Sequence, residues 1–393
     1  MKRIKEIIKN VIRLLLKLVP TDKKLWVFGA WAGKLYADNS KYMFEYVNNS
    51  KPQIKAVWIT KSDDVLKQVR AMGYRCYKSC SFLGIWYVSR AAVCFETAGN
   101  GDISVFAECS KAKIIQLWHG MGVKDVGISD KGWYGSYSEE KKAQLEKAFK
   151  DNHATWYWMA ASQEAVNKYH KAYYVPEDHF FITGQPKDDT FVNVSENKYI
   201  NDIRKKHPDA RIAVYLPTHR NFGADNEISD VMSIESLEKL NKKLCEKNIV
   251  MIFKPHFHEF SKYAGCESAM SNIVFAADMQ KFGDVYEFLP QCDMLITDYS
   301  GIMFGYIASS KPIIYFAYDY DVYINSDAGF CYDYNDITYG PVCSTWDEVV
   351  DAAATLESAD YDEVRQKQRE RFCPHCDGRS CERIFEQTMK LIG

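Results

Sequence analysis

From Leu25 to Phe316 the chain alternates between short apolar runs of strand length and longer segments with helical spacing, and this alternation is what most restricts its fold. Leu25 to Phe28, Lys55 to Ile59, Ala91 to Phe95, Ile114 to Leu117, Trp156 to Ala160 and Phe180 to Thr183 read as strands. Asn39 to Val47, Asp63 to Met72 and Glu139 to Lys150 read as helices. Strands that are apolar throughout are covered on both faces, so the pattern predicts a parallel sheet flanked by helices. Ligands of such sheets gather at the carboxyl ends of the strands. A second series starts at Arg211: a strand to Leu216, a helix Ile234 to Glu246, strands Ile249 to Phe253 and Asn272 to Ala276, a helix Phe282 to Leu289, then strands Met294 to Ile296 and Ile313 to Phe316. Between the series, Gly184-Gln185-Pro186-Lys187-Asp188-Asp189 and the polar stretch to Asp209 read as a linker. The expectation is α/β: a Rossmann-like domain over 21–190 and a second over 191–393, the latter ending in a largely helical tail from Tyr361.

With 393 residues, 47% of them apolar, the chain has material for two cores. Lys and Arg number 50 against 52 Asp and Glu, a net charge of -2 that gives no basis for nucleic-acid binding, so any anion site must be local. The 12 cysteines lie scattered in apolar segments and read as reduced thiols in a cytosolic setting. Cys373-Pro-His-Cys376 is the exception; a redox pair, or with Cys381 and His375 a zinc site, is the minor alternative there. No GxGxxG fingerprint supports a nicotinamide cofactor, and no motif supports a magnesium ion.

Residues 1–20 form a separate segment. Ile4, Ile7, Ile8, Val11, Leu15 and Leu18 recur at helical spacing opposite Lys5, Lys9, Arg13 and Lys17, and these charges interrupt the run too often for a bilayer span. The segment reads as a basic amphipathic helix on an anionic membrane surface, with Lys5, Ile8, Lys9, Ile12, Arg13, Leu15 and Lys17 in contact. Packing of its apolar face on the protein itself or on a partner is the alternative.

Several strands deliver chemistry at their ends. The Met294 strand runs into Thr297-Asp298-Tyr299-Ser300-Gly301 and a helix, and free N–H groups at such a helix start suit a phosphate. Ser300 acting only as a helix cap is the competing view. Ile114 to Leu117 leads into Trp118-His119-Gly120-Met121-Gly122, where glycines leave the backbone open beside a histidine that is either functional or structural. Pro217-Thr218-His219-Arg220 and Lys254-Pro255-His256 add basic groups at two further strand ends. Trp133, Tyr134 and Tyr137, in a long loop, serve either an acceptor or lipid, or plain surface packing. Two Rossmann-like halves with a helical tail describe the GT-B architecture, two domains facing a central cleft.

With Asn39-Ser40-Lys41, Gly184-Gln185-Pro186-Lys187-Asp188-Asp189, Lys311-Pro312-Ile313-Ile314, Tyr318-Asp319, Asp377-Gly378, Ser380 and Arg383, these motifs resemble those of the CDP-glycerol glycerophosphotransferases that build teichoic acids and related surface polymers. The resemblance spans roughly residues 25–390. It implies a GT-B fold, a CDP-alcohol donor held between the domains, and a peripheral enzyme on the cytoplasmic face of the membrane. It also implies that Trp118, Gly120, Met121, Gly122, Lys187, Thr218, Arg220, Lys254, Pro255, Asp298, Ser300, Gly301, Gly305, Asp377 and Arg383 line the donor site, with His119 and His256 nearest the chemistry. Met121 replaces the usual Thr of the family, Lys187 the usual Arg, Gly301 a second Ser and Gly305 a common Asp that would meet the polyol.

The reaction implied is attack by an acceptor hydroxyl on the distal phosphorus of CDP-glycerol, releasing CMP. His119 or His256 takes the proton, and Lys254, Arg220 and the Ser300 turn stabilise the departing phosphate. The acceptor implied is an undecaprenyl-diphosphate-linked saccharide or polymer. Alternatives are a CDP-ribitol or other CDP-polyol donor, a GT-B nucleotide-sugar glycosyltransferase or epimerase, and a non-catalytic nucleotide or polymer binder. A homo-oligomer is left open.

Overall fold

The computed structural model describes residues 11, 14–16, 18–99, 101–218, 231–255, 263, 270–276, 283–325 and 330–393. His219, Arg220 and His256 lie outside the described residues, as do Lys5, Ile8, Lys9, Ile12, Arg13 and Lys17. The chain forms two compact units: one from Met1–Gly120, Tyr137–Asp189 and Pro374–Gly393, the other from Met121–Ser136 and Thr190–Cys373.

The first unit is built on a seven-stranded sheet, ordered β3-β2-β1-β4-β5-β6-β7. Its strands are β1 (Asp22–Phe28), β2 (Lys55–Thr60), β3 (Cys76–Lys78), β4 (Ala91–Glu96), β5 (Lys113–Gln116), β6 (Tyr157–Ala160) and β7 (Phe180–Ile182). The second unit carries six strands, ordered β10-β9-β8-β11-β12-β13: β8 (Arg211–Leu216), β9 (Ile249–Phe253), β10 (Ile273–Phe275), β11 (Met294–Thr297), β12 (Ile313–Phe316) and β13 (Val342–Cys343). Every strand pairing is parallel. Each order reverses direction next to its first strand, so each sheet has a switch point, β1/β4 in one and β8/β11 in the other. Loops leaving neighbouring strands diverge there, which opens a crevice at the carboxyl ends.

The uninterrupted apolar runs are buried as their composition requires: Trp26, Val27 and Phe28 of β1 and Ile249 through Phe253 of β9 are wholly covered. In the first unit Trp26, Phe28, Phe44, Trp58 and Phe95 form the centre of the core. In the second, Tyr215, Phe253, Phe316 and Trp346 do so, with the Phe316 and Trp346 ring centroids 4.2 Å apart.

Three expectations are corrected. The helix Ser380–Ile392 does not belong to the second domain: Cys381, Ile384 and Phe385 pack into the first unit's core, Phe385 5.2 Å from Trp26. The stretch read as a linker does contain the boundary between the units, at Asp189/Thr190, but it is structured, because Gln185, Lys187 and Asp188 are buried and Lys198–Lys206 is a helix capped by the Asn197 side chain. The helix expected from Phe282 is, among the described residues, the single turn Val285–Phe288, capped by Asp284 and followed at Leu289-Pro290 by a tighter turn. The strands Cys76–Lys78 and Val342–Cys343 and the helices Phe82–Arg90, Gln163–Tyr173 and Trp346–Thr355 complete the units. Strands of two or three residues are too short to show a period.

Candidate functional site

In the first unit, polar residues converge where β1, β4, β5 and β7 end. The helix Asp38–Ser50 begins with Asp38, Asn39, Ser40 and Lys41, all buried, at the turn nearest these ends. Asn39 Nδ2 donates to the carbonyls of Leu117 (3.2 Å) and Trp118 (2.8 Å) and to Gln185 Oε1 (3.1 Å), while Asn39 Oδ1 accepts from the Lys187 amide at 3.1 Å. Lys187 Nζ donates to the His119 carbonyl at 2.6 Å and lies 3.0 Å from Asp38 Oδ1. Thr97 Oγ1 donates to Ser40 Oγ at 2.7 Å and accepts from the Ser40 amide at 3.1 Å. Asp102 accepts amide hydrogens from Ala32, Thr97 and Ala98 at 2.6–2.8 Å, which fixes the loops after β1 and β4. Each side chain thus ties one strand end to another, as buried polar groups must.

His119 stands in this network, partly buried, its ring 4.3 Å from that of Trp118 and 5.3 Å from that of Trp31. Trp118 in turn packs on Trp158, Tyr169 and Tyr173. Burial pulls the imidazole below the ordinary histidine value, a tendency opposed by Asp38 and reinforced by Lys187. His119 Nδ1 is buried and has no hydrogen-bond partner among the described residues. The ring is therefore largely neutral at pH 7 and able to accept a proton.

Backbone strain concentrates here as well. Of seven non-glycine residues with positive φ among the described residues, four surround this cluster: Trp31 (49°), Ala32 (55°), Asp38 (63°) and Trp118 (54°). Such conformations persist only where surrounding contacts hold them, and they mark functional sites more often than chance. Gly120 has φ 107°, and a Cβ there would come within 3.3 Å of Lys187 Nζ.

In the second unit the switch point is closed by one carboxylate. Asp298 is wholly buried and accepts the Thr218 amide at 3.0 Å, the Thr218 hydroxyl at 2.5 Å and the Tyr299 amide at 2.6 Å. Its side chain joins the β8 and β11 ends. Ser300 does not cap the helix Ile302–Tyr306, whose N-cap is Gly301, and its hydroxyl makes no hydrogen bond among the described residues. Gly301 lies against the Met121 backbone; a Cβ would fall 2.2 Å from the Met121 carbonyl oxygen, a contact that only glycine makes without a shift. Lys254, followed by Pro255, is partly buried at the end of β9, and burial lowers its ammonium below the ordinary lysine value, with Asp284 opposing. Its Nζ makes no hydrogen bond among the described residues. A cavity of about 420 Å³ opens beyond β12 and β13, with Tyr318, Asp319, Asn335 and Ser344 in its wall. Tyr299 donates its hydroxyl to Asp319 Oδ1 at 3.0 Å, which couples that wall to the Ser300 turn.

The remaining residues implied to line the donor site have these surroundings. Met121 is buried with its sulfur 3.8 Å from the Tyr332 hydroxyl, and Gly122 continues the same segment of the second unit. Gly305 is buried inside its helix. Asp377 and Arg383 belong to the first unit and engage each other, Arg383 Nη1 and Nη2 each donating to an Asp377 oxygen at 2.8 Å while its Nε donates to the Thr183 carbonyl. Lys187 points at Asp38 and His119. Asp38, Trp31 and Asp102 were not singled out from sequence, and Asp188 only within the Gly184–Asp189 run; a run of four polar residues opening a helix just after a buried strand is the signal that marks Asp38. Among the described residues no group of three or more His, Cys, Asp or Glu side chains is placed to hold a metal, and Cys373 and Cys376 are disulfide-bonded, so neither is a thiolate ligand.

Known proteins similar to this chain include one family, two relatives and two solved structures. The model of the family described as CDP-Glycerol:Poly(glycerophosphate) glycerophosphotransferase matches residues 11–390. The chain is 24% identical to a teichoic acid glycerol-phosphate transferase of Staphylococcus aureus, over 98% of this chain and 99% of that protein. It is 23% identical to a teichoic acid poly(glycerol phosphate) polymerase of Bacillus spizizenii, over 97% and 96%. Among solved structures, the wall teichoic acid polymerase TagF soaked with CDPG superposes with TM-score 0.78 at 23% identity, covering 100% of this chain and 96% of that one. A UDP-N-acetylglucosamine 2-epimerase from Listeria monocytogenes aligns with TM-score 0.56 at 12% identity, over 92% and 95%. The fold is GT-B-like, as the strand orders suggested.

Proposed function

Since the chain belongs to the CDP-Glycerol:Poly(glycerophosphate) glycerophosphotransferase family, we propose that it transfers glycerol phosphate from CDP-glycerol to a hydroxyl of a membrane-lipid-linked saccharide or polyol-phosphate acceptor, releasing CMP. The observation that carries this reading is His119: a neutral, partly buried imidazole whose Nδ1 has no hydrogen-bond partner among the described residues, on a strained turn at the strand ends of the first unit. A hydroxyl is a weak nucleophile at neutral pH, so a base must take its proton as the new P–O bond forms. As the diphosphate P–O bond breaks, negative charge grows on CMP, and the partly buried ammonium of Lys254, which makes no hydrogen bond among the described residues, suits that charge. The Ser300 hydroxyl and the amides following it offer neutral donors for the same oxygens.

A CDP-ribitol donor is the second reading. It is favoured by Gly305, which brings no carboxylate to the position implied to meet the polyol, and by relatives named as ribitol-phosphate polymerases. Incubation with CDP-glycerol, CDP-ribitol, UDP-sugars or GDP-sugars and a lipid-linked acceptor, scored by product mass, separates the readings. CMP release with a mass gain of one glycerol phosphate is expected; UDP or GDP release, or no turnover of any CDP-polyol, sinks the proposal.

The acceptor links function to the membrane. No described helix is long and apolar enough to cross one. Val11, Leu14, Leu15 and Leu18 are exposed, which supports an N-terminal segment lying on an anionic surface. Deletion of residues 1–19 is expected to abolish sedimentation with phosphatidylglycerol vesicles, and retained sedimentation refutes that role.

A further inference from the structure

We propose that Lys187 and Asp38 are positioning residues: their buried ion pair holds the main chain of the Trp118–Gly120 turn, and through it His119, instead of meeting the donor. The inference rests on the transfer reading for its catalytic consequence, though its structural half stands apart from it.

Two of the three ammonium hydrogens of Lys187 are directed at protein atoms, one to the His119 carbonyl (2.6 Å) and one toward Asp38 Oδ1 (3.0 Å). The two side chains are only 6% and 11% exposed. A pair so covered is costly to desolvate and is retained where it defines a geometry. The geometry here needs defining, because Trp118 and Asp38 both hold left-handed backbone conformations that neither side chain favours. Asn39, the next residue on the helix, grips the carbonyls of Leu117 and Trp118, and its own oxygen accepts the Lys187 amide. The β5 end is thus clamped from two sides, by one helix start and by the buried helical turn Pro186–Phe191. The imidazole, stacked on Trp118, has its place set by that clamp.

The charged groups that bear on His119 are Asp38, Lys187 and Asp102. Lys187 disfavours the imidazolium and Asp38 favours it, so the two variants K187M and D38N must move the His119 titration in opposite directions. A donor-contacting lysine and a positioning lysine also differ in kinetics, since the first acts on donor affinity and the second on turnover.

The test measures His119 by NMR titration in the substrate-free full chain, alongside kcat and KM for CDP-glycerol, in wild type, K187M, K187R and D38N. Expected for K187M is a titration midpoint above wild type and a kcat lowered about tenfold or more, with KM within about twofold. K187R, which keeps charge and donors, is expected within about threefold of wild-type kcat. D38N is expected to lower the midpoint. A raised KM at constant kcat in K187M, or an unmoved midpoint in both K187M and D38N, overturns the proposal. If K187M does not fold, D38N decides through its kinetics: a kcat lowered about tenfold or more with KM within about twofold supports the clamp, and a raised KM at constant kcat, or near-normal turnover, overturns it. Absence of CDP-glycerol turnover in wild type defeats the transfer reading, and the titration still judges the clamp.

Discussion

At the scale of single residues, the site is governed by which polar groups are left neutral. His119 has its basicity reduced chiefly by burial, which leaves the ring neutral at pH 7, as the proposed role of base requires. The acid limb of kcat/KM is expected to have a midpoint below the ordinary histidine value of 6.5, and a midpoint well above it contradicts His119 as the base. H119A should lower kcat by about 10²-fold or more while leaving the thermal transition nearly in place, and near-normal turnover removes the assigned role. Stability follows the same shift. The native ring resists protonation more than the unfolded one, so the His119 contribution is present above pH 6.5 and lost as pH falls through its folded value.

Elements matter because each strand end presents a short loop that another element must hold. Asp298 joins β8 to β11, Asn39 joins its helix to β5, and Asp189 accepts the amides of Ser380 and Cys381 at 2.9 Å each, which fixes the start of the tail helix. Gly301 is the tightest of these joints. In G301A the added Cβ collides with a backbone oxygen that cannot rotate away, so a loss of about 1–3 kcal/mol is expected, read as a lower urea midpoint at unchanged m-value. A midpoint equal to wild type shows that the Met121 segment yields without cost.

Across the whole molecule, the buried carboxyl of Asp188 couples the fold to pH. Both its oxygens lack partners among the described residues, and burial pushes its pKa up to about 7, with Lys187 opposing. The unfolded carboxyl ionises near 3.8, so its stabilising contribution is complete below that pH and disappears as pH rises through about 7. D188N, always neutral, is expected to raise stability at pH 8 by an amount on the order of a few kcal/mol and to change little at pH 4. An equal effect at both pH values, followed by thermal or urea unfolding, excludes the titration as cause.

What the chain determined by itself is the class of fold. Strands β8 and β9 and the helix Ile234–Glu246 have the bounds that apolar runs and their helical spacing predict, because local periodicity needs no partner to be legible. The strand-end motifs were legible too, through the turn chemistry of Trp118–Gly122 and Thr297–Gly301 and through resemblance. Tertiary structure decided the rest. Lys187, 68 residues from His119, and Asp38, still farther along the chain, meet it only because a parallel sheet brings the ends of β1, β5 and β7 together. The helix from Ser380 joins the first unit because its apolar face fits beside Trp26, a preference that amphipathic spacing records as a face but never as an address.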